Sequence, residues 1–243
     1  MEFGVITQAR MTSTRLPGKV LLKADEVTFL EHQIRRLKGY PWSIIVATTI
    51  NETDDCIEEI CKTLNVQCFR GSESNVLERY AQAAKYFGLS HVCRVTSDCP
   101  LIDSKLILRG LELYMNEVRQ SGNCVYLSNT VERTFPRGFD FEWFSVDMLN
   151  LANLHNTKEY EREHVTPFFY KSHREKFRFL QILNKDDKSG YRITLDESDD
   201  LKLLKVLIEE YDADKMGMEA IVQLMDLHPE LVQINAHVEQ KKI

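Results

Sequence analysis

The chain opens on a regular alternation. Short, nearly continuous apolar runs at residues 3–6, 43–48, 66–69 and 91–95 read as strands. Between them, apolar positions recur at helical spacing over residues 28–38, 53–64, 74–87 and 104–119. Strands that are apolar on both faces belong in a mostly parallel sheet covered by helices on two sides. The expected fold class is therefore α/β, and in such folds ligands sit at the carboxyl ends of the strands.

The second half is more mixed. Strands are expected at 124–127, 139–143, 177–183 and 191–195, the last two joined by the polar turn 184–190. Helices are expected at 146–155, 159–172 with an interruption near Pro167, 198–211 and 217–227, before a polar tail at 239–243. No internal repeat and no long linker marks a boundary. The simplest organisation is one domain, 1–243, with a substrate-side or dimerisation segment at about 128–185.

Composition narrows the class. A chain of 243 residues buries roughly 70–75% of its unfolded surface, enough for an enzyme core. With 10 Gly and 6 Pro, collagen-like and disordered classes are excluded. No apolar run reaches the roughly 20 residues of a membrane helix, and the first residues are strand-like, so a cytoplasmic protein away from membranes is expected. Six scattered cysteines without a C-x-x-C pair suit reduced thiols. The formal net charge of −6 argues against a nucleic-acid polymer but leaves room for a local basic cluster.

Such a cluster follows the first strand. Residues 8–19 carry Arg10, Arg15 and Lys19 with Thr12, Ser13, Thr14 and Gly18, and backbone N–H groups and cations in such a loop can wrap a polyphosphate. A Walker A loop would need Gly at position 13 and Ser or Thr at position 20; Ser13 and Val20 stand there, and no G-x-G-x-x-G occurs. The competing explanation is a basic surface loop. Asp98, at the end of the fourth strand and two residues before Pro100, is positioned for a hard cation, while Ser104 or Asp103 is better placed to cap the next helix. Asp196 likewise ends a strand, and capping of the following helix by Ser198, Asp199 and Asp200 does not require it. Two carboxylates about 4 Å from a triphosphate oxygen would each be repelled by roughly 4 kcal/mol at an effective dielectric near 20, so acidic pair and basic loop fit together only around a metal ion.

Three further stretches stand out. In Arg70–Arg79, Gly71 permits close approach and Ser72 and Asn75 offer polar contacts, against an ordinary strand-to-helix turn capped by Ser74, with Arg79 paired on the surface. Residues 134–142 contain Arg137, Asp140 and Glu142, and alternation places the two carboxylates on one face of a strand. Residues 161–167 contain Arg162 and His164. Both of these last stretches are also explained by a salt-bridged dimer surface.

Taken in order, A-R-x-x-S-T-R-L-P-G-K, R-G-S-E-S-N, D-x-P-L-I-D, P-x-G-x-D-x-E, R-E-H-V-T-P and T-x-D-x-x-x-D-L resemble the motifs of cytidylyltransferases that make CMP-activated sugars. The nearest branch is that of spore coat polysaccharide biosynthesis protein F, similar to the CMP-ketodeoxyoctulosonate synthetases. The resemblance implies a three-layer α/β/α nucleotide-diphospho-sugar transferase fold. It also implies the reaction CTP + sugar → CMP-sugar + pyrophosphate, with an acidic 2-keto sugar as substrate. It assigns Arg10, Arg15 and Lys19 to the triphosphate, with Gly18 in the same loop, and Gln8 and Ala9 to the cytosine side. Gly71, Ser72 and Asn75 go to base and ribose, and Arg137, Asp140, Glu142, Arg162 and His164 to the sugar. Asp98 and Asp196 are assigned to Mg²⁺, and the chain is expected to form a homodimer. Two alternatives stand beside this reading. A glycosyltransferase of related fold would carry an Asp-x-Asp motif, whereas Asp98 is followed by Cys99-Pro100. A non-catalytic sugar-nucleotide binding protein would have lost cations or metal ligands that are all present.

Overall fold

Strand β1 (Phe3–Gln8) is followed by a tight hairpin of β2 (Lys23–Ala24) and β3 (Val27–Thr28), then α1 (Phe29–Leu37) and β4 (Ser43–Thr49). Next come α2 (Asp55–Leu64), β5 (Gln67–Gly71), α3 (Val76–Tyr86), β6 (His91–Thr96), α4 (Ser104–Ser121), β7 (Val125–Ser128) and β8 (Glu142–Ser145). The chain continues through α5 (Val146–His155), α6 (Glu159–His164), β9 (Arg178–Gln181), α7 (Ser198–Glu209), α8 (Met218–Leu227) and α9 (Pro229–Gln233). The structure is a computed structural model and describes residues 2–239, so most of the polar tail at 239–243 lies outside the described residues.

Seven strands form one sheet in the order β5-β4-β1-β6-β8-β7-β9. β5, β4, β1 and β6 are mutually parallel, β8 runs antiparallel to both β6 and β7, and β7 pairs parallel with β9. The sheet is buried on both faces because its strands carry apolar side chains in both directions. Val5, Ile44, Cys93, Val95, Leu127 and Trp143 pack against α1, α4, α7 and α8, and Val46 packs against α1 and α2. On the other face, Ile6, Ile45, Ala47, Val92, Tyr126 and Phe144 meet α3, α5 and the aromatic group Phe168, Phe169 and Phe177. Three layers result, with the carboxyl ends of β1, β4, β5 and β6 along one edge. Among the described residues no helix is long and apolar enough to cross a membrane, and all six cysteines are free thiols.

Two expected strands form differently, and the helix expected over 159–172 is interrupted near Pro167 as its sequence implies. Residues 139–141 are extended but make no ladder, because the Asn129 side chain bonds Phe139 O (2.8 Å) and Phe141 N (3.0 Å) in place of a neighbouring strand. The strand proper begins at Glu142. Residues 191–195 are not a strand either: their backbone pairs with two loops, through Arg137 N to Tyr191 O, Ile193 N to Arg137 O and Leu195 N to Asp98 O. Gly138 makes that contact possible, since a Cβ there would lie 2.0 Å from Ile193 O. The helix expected over 159–172 breaks at Val165, before Pro167. Val165 has φ 68° and ψ −60°, and Thr166 N bonds His164 O at 2.8 Å, a γ-turn that is strained for a β-branched residue.

Candidate active site

The loop after β1 is pinned before its cations reach the site. Ala9 N bonds Ala47 O, Met11 N donates to the buried Asp54 carboxylate at 2.8 Å, and Gly18 N returns to Met11 O at 2.9 Å. Asp54 also accepts from Thr49 Oγ1 at 2.5 Å, so one fully buried carboxylate ties the loop to the end of β4. The turn after β6 is held by Gln33 of α1, whose Nε2 donates to Thr96 O (2.7 Å) and Cys99 O (3.0 Å). Asp98 O then accepts from Leu195 N (2.7 Å) and Thr194 Oγ1 (2.9 Å), which brings residues 194–196 against the same turn.

The result is one charged cluster. Lys19 Nζ lies 2.8 Å from Asp196 Oδ1 and 3.7 Å from Asp98 Oδ2. Arg15 reaches Asp196 Oδ1 at 3.0 Å and Glu197 Oε1 at 3.4 Å. Behind Asp196, Arg192 donates to Asp196 Oδ2 at 3.1 Å and forms a bidentate pair with the fully buried Asp200 at 2.8 and 2.9 Å. Burial lowers the Lys19 pKa, but Asp98 and then Asp196 outweigh it, so the ammonium is held above its ordinary value. For Asp196, burial raises the pKa, and Lys19, Arg15 and Arg192 together bring it below the usual carboxylate range.

Asp98 and Asp196 thus converge on one point now taken by an ammonium. Their hard carboxylate oxygens fit Mg²⁺, which binds through one or two carboxylates and completes its shell with phosphates and water. Among the described residues no group of three or more His, Cys, Asp or Glu is arranged around a single metal position, so a cation here would depend on such outside ligands.

An open cleft of about 740 Å³ is lined among others by Arg10, Ile50, Asn51, Gly71, Ser72 and Glu73. Glu73 gathers Thr12 Oγ1 (2.5 Å), Asn51 Nδ2 (2.6 Å) and Arg10 (3.4 Å), joining the loop after β1 to the loop after β5. The cap of α3 is Asn75, whose Oδ1 accepts from Glu78 N at 3.1 Å, and not Ser74. Ser72 Oγ accepts from Asn75 N at 3.1 Å. Arg79 is not a surface residue: it is 1% exposed and donates to Ser72 O. A Cβ on Gly71 would meet the Arg79 stem at 3.0 Å, so this glycine answers to packing as well as to ligand access.

With this geometry in place, the comparison with known proteins is direct. The sequence profile of the cytidylyltransferase family matches residues 4–243. The chain belongs to the cytidylyltransferase family. An uncharacterized protein of Methanocaldococcus jannaschii, MJ1063, is 35% identical over 239 residues, 97% of this chain and 95% of that protein. Spore coat polysaccharide biosynthesis protein SpsF of Bacillus subtilis is 28% identical over 235 residues, covering 93% and 94% of the two chains. A cytidylyltransferase structure from Leptospira borgpetersenii superposes with a TM-score of 0.90 at 34% identity, covering 100% of both chains. The three-layer nucleotide-sugar transferase fold and CTP-dependent nucleotidyl transfer go with that membership.

In this cytidylyltransferase the residues expected on the sugar side are dispersed. Asp140 precedes β8 and is held bidentately by Arg133 at 2.7 and 2.9 Å, so it shares no strand face with Glu142. Glu142 is buried, with one oxygen on Arg94 at 2.7 Å and the other on the Tyr126 hydroxyl. Arg162 Nε donates to Asn156 Oδ1 at 2.8 Å, and His164 sits next to the strained turn at Val165. Arg137 lines a small cavity of about 160 Å³ together with Arg192 and Asn235. Asp54, Gln33, Arg94 and Arg192 support the site and are not among the residues expected there, while Asp200, expected as a helix cap, caps α7 through Glu197 N and also holds Arg192. Gln33 and Asp200 do carry a signal, as polar residues on the apolar stripes of α1 (29, 30, 34, 37) and α7 (203, 204, 207).

Proposed function

We propose that this cytidylyltransferase transfers CMP from CTP to the anomeric hydroxyl of an acidic 2-keto sugar, releasing pyrophosphate. The observation that carries the reading is the meeting of Lys19 and Arg15 with Asp98 and Asp196 at the carboxyl ends of β1 and β6. Arg10, Arg15 and Lys19 come from one loop and can turn from carboxylate to phosphate oxygens, neutralising the triphosphate as the sugar hydroxyl attacks the α-phosphorus in line. Asp98 and Asp196 would hold Mg²⁺, which would supply positive charge to stabilise the developing charge on the leaving group. Gln8, Ala9 and the loop from Gly71 to Asn75 face the nucleoside. The acidic-sugar reading leans on Arg137, which makes no ion pair among the described residues and lines the small cavity beside Arg192, leaving its guanidinium for a substrate carboxylate. The similarity to SpsF supports a glycan-building role.

The test is pyrophosphate release with CTP, Mg²⁺ and a panel of 2-keto sugar acids alongside neutral sugars. Asp98→Asn should abolish release; unchanged turnover would sink the assignment, and release with neutral sugars alone would sink the substrate class.

We also propose a homodimer built on the segment at 128–185. That segment carries the exposed apolar residues Val131, Leu151, Leu154 and Leu183 and the sheet-edge strand β9.

A further inference from the structure

Near the carboxyl ends of β1 and β6 runs a buried polar chain that the proposed reaction does not use. Ile6 and Val92 point to the α3 and α5 face of the sheet, and two residues further on so do Gln8 and Arg94. Arg94 donates through one terminal nitrogen to Glu142 Oε2 at 2.7 Å and through the other to Gln8 Oε1 at 3.4 Å. The Tyr126 hydroxyl holds the second Glu142 oxygen, and the pair is 13% and 5% exposed. Arg94 Nε is buried without a partner, so Glu142 and Gln8 are the two acceptors of this guanidinium in the described structure.

A guanidinium has only donors. The Gln8 carboxamide can therefore meet it with its oxygen alone, which turns its NH₂ away from Arg94. Reversing the amide would set two donors against each other beside a buried cation. A glutamine free to rotate presents either atom and distinguishes nothing, whereas a glutamine fixed by its neighbour offers only a donor. Cytosine and uracil differ at this level: ring N3 accepts in cytosine and carries a proton in uracil.

We propose that Arg94, braced by Glu142 and Tyr126, locks the Gln8 carboxamide as a hydrogen-bond donor and so makes Gln8 the selector of a cytosine over a uracil ring. The inference rests on the proposed use of this cleft for CTP. Gln8 contacts the nucleotide; Arg94 is a positioning residue.

Calorimetric titration with CTP and UTP in the presence of Mg²⁺ tests it on three proteins: the wild type, Gln8→Glu, and the paired Arg94→Gln/Glu142→Gln variant, which strands neither charge. Wild type should prefer CTP by about tenfold or more, the effect of one misplaced hydrogen bond at a desolvated site. Gln8→Glu keeps an oxygen on Arg94 but replaces the donor with an acceptor, so CTP affinity should fall about tenfold and the preference should vanish or invert. In the paired variant the freed amide can turn to meet uracil, so UTP should bind more tightly than to wild type. A purely structural role would weaken both nucleotides by the same factor. Equal weakening, or no change with Gln8→Glu, overturns the proposal, and if the paired variant does not fold, Gln8→Glu decides alone. Wild type binding CTP and UTP equally overturns the selector role and leaves the proposed function standing; wild type binding no CTP overturns the proposed function itself.

Discussion

Asp200 is the residue on which the geometry of Asp196 hangs, and replacing it by Asn makes a quantitative test. Its carboxylate is fully buried and accepts from five donors: Arg192 Nε and a terminal Arg192 nitrogen, Asp196 N, Glu197 N and Asn235 Nδ2, all at 2.8–3.0 Å. Asn keeps the shape and one oxygen but loses the charge, and its NH₂ must face an Arg192 nitrogen in either orientation, together with Asn235 Nδ2 or with the two backbone N–H groups. Breaking a buried ion pair by neutralising one partner costs about 3–5 kcal/mol, and the retained oxygen places Asp200→Asn at the lower end. A loss of about 3 kcal/mol in a chain of this length lowers Tm by about 6–12 °C. Urea unfolding at 25 °C and a thermal melt by far-UV circular dichroism measure both. Asp199→Asn is the control, because Asp199 pairs with the exposed Lys202 and His237 and should leave the midpoint where it is. A loss below about 1 kcal/mol for Asp200→Asn would refute the reasoning, since it would mean the five bonds are not formed at the cost of a buried charge.

The remaining predictions concern pH and assembly. The Asp196 pKa is lowered on folding, so its contribution is present above the ordinary carboxylate value and is lost as pH falls through the folded pKa. The Lys19 pKa is raised, so its contribution persists through neutral pH and is lost only as pH rises through a folded pKa above the ordinary lysine value. The stability gap between wild type and Asp196→Asn, from urea unfolding, should be flat between about pH 5 and pH 10 and narrow below about pH 4; a gap that widens on acidification contradicts the assigned sign. Sedimentation should show a dimer for the wild type and a monomer for Leu154→Glu, whose wild-type side chain is 77% exposed on α5; a monomeric wild type removes the dimer proposal.

The parts of the site legible in the sequence are those that depend on chain order. A loop following β1 and a turn following β6 become neighbours because β1 and β6 pair in parallel; continuous apolar runs predict the parallel sheet, and the structure supplies which strands adjoin. Lys19 and Asp98 therefore meet as their positions suggest. Asp196 is marked as the end of an expected strand, but the segment before it takes its hydrogen bonds from loops, so its place beside Lys19 and Asp98 does not follow from sheet order. Glu142 and Arg79 were misjudged for a different reason. Side-chain type argues for exposure, while both are buried by partners 48 residues away in one case and at a loop carbonyl seven residues away in the other. Charge pairing across a sheet leaves no trace in local pattern.

The unliganded cluster also constrains how substrate enters. Lys19, Arg15 and Arg192 face Asp98, Asp196, Asp200 and Glu197, three cations against four carboxylates, so the centre is already net negative before any phosphate arrives. Lys19 and Arg15 are already paired with carboxylates, so to grip a triphosphate as proposed each would have to exchange a carboxylate for a phosphate oxygen. That exchange would leave Asp98 without Lys19 and Asp196 with Arg192 alone, at a place where Asp196 is largely buried and an under-compensated carboxylate is costly. On the proposed reading, a divalent cation held by Asp98 and Asp196 would supply the positive charge that Lys19 and Arg15 give up in turning to phosphate. On this reasoning metal and CTP bind with positive coupling, each making the other's site electrostatically complete.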